Sequence, residues 1–117
     1  MTYRAGDPPG AVLMGVEAVQ LCEELAGLRA PGSKKPYDYA KLSAHAPNEY
    51  WTGVYLQNAL FYLSYAQWDL GDHAAAMASK LRRVQLFRRL VEFDTHKYRP
   101  GLDQAEQDLD NYAPHES

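Results

Sequence analysis

The 117-residue sequence predicts an all-α fold: a small bundle of three main helices plus a shorter C-terminal one, built on a central antiparallel helix hairpin. Three observations carry this reading. Strand patterning is missing: no run alternates Val, Ile and Thr, and the chain has no isoleucine. Apolar residues recur instead at helical spacing over long stretches. Pro and Gly cluster between those stretches, where they stop helices and allow turns. The length suits a single domain, residues 1–117.

Helix one is predicted over 8–28. Asp7 suits its cap, and Pro8 suits a first turn whose N–H groups have no intrahelical partner. Val12, Val16, Val19, Cys22 and Leu25 recur on one face, which Leu13, Leu21 and Leu28 widen. Glu23 and Glu24 are expected at a solvated edge, and Gly15 to weaken the helix slightly. A loop follows over 29–46, punctuated by Pro31, Gly32 and Pro36, with a helical turn expected around Asp38 to His45.

Helix two is predicted over 47–70. It is apolar or aromatic on all sides, which places it mid-bundle or against a partner. Residues 50–68 carry no charge, but Thr52, Gln57, Asn58, Ser64 and Gln67 argue against a membrane span. Gly71 stops the helix and Asp72 caps the next. Helix three is predicted over 72–96, with Met77, Leu81, Val84 and Val91 on one stripe and Leu86, Leu90 and Phe93 on a second. Pro100-Gly101 is expected to break the chain, so helix four is predicted only over 102–112, with a frayed tail from Ala113.

The net charge is −3, but unevenly laid out. Residues 1–72 sum to −3, residues 73–99 to +5 and residues 100–117 to −5. The expected outcome is a basic helix packed antiparallel on an acidic one. The basic face comprises Lys80, Arg82, Arg83, Arg88 and Arg89. It reads as a solvated face, with phosphate contact as the alternative.

Motif chemistry is sparse. One cysteine excludes an internal disulfide, and Cys22 sits in an apolar stripe as a buried small hydrophobe. His45, His73, His96 and His115 are scattered near helix ends. Glu92 and His96 are four apart, but the Glu-x-x-His pairs of helical di-metal sites and the His-Glu-x-x-His motif are missing. No Gly-rich phosphate loop or nucleophile elbow occurs. No catalytic residue, metal ligand or cofactor is therefore assigned.

The segment from Ala66 to Met77 resembles the inter-helix turn of a tetratricopeptide repeat. A Gly-Asp turn is followed by an alanine four residues after the Asp, here Ala76. The likeness covers this one turn, with no second 34-residue copy, and implies a tight helical hairpin.

Seven of the nineteen residues from Tyr50 to Trp68 are aromatic. Tyr and Trp are enriched at binding hot spots. Tyr50, Trp51, Tyr55, Tyr62, Tyr65 and Trp68 are thus the expected partner-binding set, with Arg82 and Arg89 at its rim. The leading expectation is a non-enzymatic protein-interaction module that binds a protein partner or a second copy. The alternatives are a nucleic-acid accessory protein using the basic face, and a small metal-dependent or nucleotide-processing enzyme. A cytoplasmic location, away from membranes, is expected.

Overall fold

The computed structural model describes residues 8–33, 35, 37–42 and 48–112. The expected Asp7 cap, the Pro47 helix start, the end of the turn at His45, and the tail from Ala113 fall outside the described residues.

Glycine ends the first two helices by the same device. α1 spans Pro8–Leu25. Gly27 takes a left-handed φ of 78°, its N–H bonds Glu24 O, and the Leu28 N–H bonds Glu23 O. This is a Schellman stop, and it closes the helix three residues before the expected end at 28. α2 spans Gln57–Leu70. Gly71 (φ 91°) repeats the device, with Gly71 N–H on Trp68 O and Asp72 N–H on Gln67 O. Asp72 then caps α3, His73–Phe93, through a 3.1 Å bond from the Ala75 N–H. Two helices meet across two residues, which gives the hairpin.

Helix two does not begin as a regular α-helix. Tyr50–Leu56 winds as a wider π-helical turn that runs into α2. Asn48 O anchors it by accepting from the Thr52 N–H and the Thr52 hydroxyl, both at 2.8 Å. Gly53 lies under Tyr98: a Cβ there would sit 2.8 Å from the phenol oxygen. Within the 29–46 loop, Tyr39–Lys41 forms one 3-10 turn capped by Asp38.

The expected end of helix three at 96 and start of helix four at 102 are both corrected. α3 stops at Phe93 because Asp94 is extended, and α4 starts at Thr95 and runs to Tyr112 through Pro100. Asp94 serves both ends: its N–H bonds Leu90 O, and its carboxylate accepts from the Lys97 N–H. An interior proline costs about 3 kcal/mol. Burial offsets it: Tyr98, Leu102 and Ala105 are all buried against the core. A buried side chain of the larger kind contributes roughly 1.5–3 kcal/mol. Gly101 is the close contact, since a Cβ would meet Phe87 Cζ at 2.8 Å. Gly101 is therefore a packing position, and the exposed Pro100 before it does not break the helix.

The elements pack in chain order. α1 lies on α2 and the π-turn, α2 on α3, and α3 on α4; α3 also receives the 3-10 turn. Among the described residues α1 and α4 do not meet, so the bundle is an open row with two edges. Its extents are 41 × 41 × 23 Å. Leu56, Leu60, Val84, Leu86 and Leu90 are inaccessible at its centre. Gly15 allows the close approach of α1 to α2, since a Cβ there would sit 2.9 Å from Leu63 Cδ1. No helix among the described residues is long and apolar enough to cross a membrane.

Candidate interaction surface

The basic helix clamps the fold from inside. Lys80 and Arg83 are 2% and 6% exposed, which corrects the solvated-face expectation for both. Lys80 Nζ donates to Asp108 Oδ2 at 3.0 Å and Ser64 Oγ at 3.2 Å. The same ammonium stands 4.0 Å over the Tyr65 ring and 4.4 Å over that of Tyr112. A cation removed from water needs such partners, and here it joins α2, α3 and α4. Arg83 gives two bonds to Gln57 Oε1 and lies between Phe61 and Phe87. Burial pulls its guanidinium below the ordinary arginine range.

The other three basic residues are also paired. Arg82 Nη2 reaches Glu23 Oε2 at 3.0 Å, and Arg88 Nη2 reaches Glu106 at 3.4 Å. Arg89 pairs with Glu92 and gives two bonds to Leu42 O, fixing the end of the 3-10 turn. Arg88–Glu106 and Lys80–Asp108 both join the basic helix to the acidic one.

Glu23 corrects a second expectation. It is fully buried, not a solvated edge. Arg29 Nη2 lies 2.5 Å from one carboxylate oxygen; Arg82 and the Tyr39 hydroxyl (2.6 Å) share the other. Burial, more than any neighbouring charge, pushes the Tyr39 phenol up. This network ties α1, α3 and the 3-10 turn. Beside it, burial and then Glu23 push the Cys22 thiol up, away from nucleophilic use.

The six aromatic candidates divide into two groups. Trp51, Tyr65 and Trp68 are half-buried. Tyr65 donates to Asp108 at 2.9 Å, and Trp68 stacks on His73 and meets Tyr112 edge-on. Burial and then the Asp108 bond push the Tyr65 phenol up. Tyr50, Tyr55 and Tyr62 are exposed. Tyr50 meets Trp51 and Tyr55 edge-on, and Trp51 and Tyr55 are tilted at 39°, with all three ring centroids 5.1–5.2 Å apart.

α1 presents an outer surface that includes Leu13, Leu21 and Leu25, which the periodicity places with the core. Its inner face, with Val12, Val16, Val19 and Cys22, belongs to the core. Leu13 and Leu21, expected to widen that face, are 61% and 54% exposed. Leu25, expected on the inner face itself, is 45% exposed because it falls in the last turn beyond the core contacts, and Met14 is exposed as well. Ala11, Met14, Ala18, Leu21 and Leu25 follow one another at intervals of three, four, three and four. That is the spacing of a helix-pairing seam. The interval pattern was present in the sequence, on the side away from the valines. Leu81 and Phe93 of the expected α3 stripes are also exposed.

Among the described residues no group of His, Cys, Asp and Glu is placed to hold a metal ion. No protein-family model, curated protein or solved structure matches this chain.

Proposed function

We propose that the chain is a non-enzymatic helical interaction module that pairs with a second copy through the outer face of α1. The observation that carries this is the exposed apolar seam on an edge helix. A contiguous exposed apolar strip of this kind is often functional.

The two edges of the row favour like-with-like pairing. α4 ends the row with Asp103, Gln104, Gln107 and Asp110 exposed, a polar outer side. An apolar α1 face has no counterpart there. Pairing of α1 with α1 is isologous and closes at two. In an antiparallel pair centred on Ala18, Leu25 lies level with Ala11 of the other copy, so a large side chain opposes a small one. α1 has 18 residues, so it is about 27 Å long and offers a strip about 10 Å wide. That is less than the roughly 800 Å² per side of a standard interface, so the dimer is weak and concentration-dependent.

Sedimentation equilibrium over a concentration range tests this. A reversible dimer is expected for the wild type and for Tyr62→Ser, and a monomer with unchanged helicity for Leu21→Glu. Loss of the dimer in Tyr62→Ser but not Leu21→Glu would transfer the interface to the exposed tyrosines. The basic face offers the nucleic-acid reading less support, since all five of its cations have partners within the fold.

A further inference from the structure

A groove of about 270 Å³ opens where α1, α2 and α3 come together, away from the outer face of α1. Its walls are mostly apolar, with Gln20, Gln67 and Ser79 among them, and two arginines line it as well. Val16 and Val19 form one side and Leu63 the floor. On the other side α3 contributes Ala75, Ala78, Ser79 and Arg82, and the short alanine side chains leave the space open. Gln67 and Ser79 line it too, but they are occupied with each other through a 2.6 Å bond.

The two arginines are Arg29 and Arg82. They share a single carboxylate, Glu23, so the cluster carries one uncompensated positive charge. No acidic side chain lines the groove among the described residues. The Arg29 side chain is 5% exposed, and its Nε is buried with no hydrogen-bond partner. Leaving a buried charged donor unmet costs more than leaving a neutral one, and such groups in native proteins have a reason. Arg82 is 27% exposed and so remains open to a ligand.

We infer that this groove binds a small monocarboxylate with an apolar tail. The tail lies along Val16, Val19 and Leu63, and the carboxylate balances the spare charge of the Arg29–Arg82 pair. Guanidinium and carboxylate match in plane and in donor spacing, which favours a carboxylate over a compact hydrated anion. The volume falls just under the roughly 300 Å³ at which drug-sized pockets begin, so the tail is short.

Hexanoate is the probe, titrated calorimetrically into the full chain. Hexan-1-ol supplies the tail without the charge, and acetate the charge without the tail. Hexanoate is expected to bind saturably, and each of the others at least about tenfold more weakly, the factor for one charge-assisted contact. Ala78→Phe fills the groove without touching the ionic cluster and should abolish binding while leaving the melting temperature within a few degrees. Arg82→Gln should weaken hexanoate while leaving hexan-1-ol unchanged. Failure of hexanoate to saturate, equal affinity for hexan-1-ol, or unchanged binding to Ala78→Phe would each overturn the assignment. Dimerisation uses a different face, so its success or failure leaves this result readable.

Discussion

A buried carboxylate between two guanidiniums and a solvated pair on a helix surface look alike as ion pairs, yet they differ in consequence. Glu23 has no access to water and three side-chain partners. Glu106 is 43% exposed opposite an Arg88 that is 58% exposed. Removing one partner of a buried pair strands the other charges, at a cost of about 3–5 kcal/mol. Removing one from an exposed pair costs about 1 kcal/mol or less. Urea denaturation of Glu23→Gln and Glu106→Gln should therefore give losses on those two scales, and equal losses would contradict the burial argument. A third carboxylate sets an acid limb. Glu49 accepts from the Tyr98 hydroxyl and from Lys97 Nζ, and these bonds, the phenol first, hold its carboxyl below the ordinary range. A depressed folded value means that the unfolded chain binds the proton first as pH falls. The contribution of Glu49 is thus present above its ordinary value of about 4.3 and is lost as pH falls through the lower folded value. The stability difference between wild type and Glu49→Gln should shrink on acidification below that point; a difference that grows would show the sign to be wrong.

Which helices form was written in the periodicity, but where they end depended on contacts the sequence does not display. The Gly71-Asp72 junction was legible because a left-handed glycine and a capping aspartate act locally. Pro100-Gly101 predicts a stop because both residues oppose helix locally, whereas the structure runs α4 through them. The deciding contact, Gly101 against Phe87, joins residues on different helices. Gly101→Ala should therefore destabilise by about 1–3 kcal/mol, as overpacking does. Phe87→Leu should recover part of that loss in a double-mutant cycle, since the two sites share one space. Additive losses would show that Gly101 serves α4 for another reason. The buried charges were half legible in the same way. Glu23 falls four residues after Val19 and seven after Val16, so it lies on the inner stripe of α1. Lys80 falls four after Ala76 and four before Val84, on the inner stripe of α3. Both positions lie on inner stripes, yet a charged side chain there reads as solvated because the partners that make burial tolerable, Arg29, Tyr39 and Asp108, lie on other elements. Sequence spacing does not reveal those meetings.

An open row of helices has an edge problem that a closed bundle lacks. Each inner helix is covered on two sides, while each terminal helix must be polar outside or find a partner. α4 takes the first course, with an exposed polar outer side. α1 does not, because Leu13, Leu21 and Leu25 remain at 61%, 54% and 45% exposure. The asymmetry limits what assembly can do. An apolar edge that met its own opposite edge would add copies without end, but a polar α4 gives it no such docking surface. Under the proposed α1 pairing, growth therefore stops at two. Folding and pairing are then linked by mass action: whatever binds the native chain alone raises its apparent stability with concentration. The thermal midpoint of the wild type should climb as protein concentration rises across the dimer's dissociation constant, and the midpoint of Leu21→Glu should stay flat. Light scattering should saturate at twice the chain mass at the highest concentration. A midpoint independent of concentration in both proteins would mean that the α1 seam stays exposed in the free molecule, and a mass that kept rising would mean that the α4 edge also takes part.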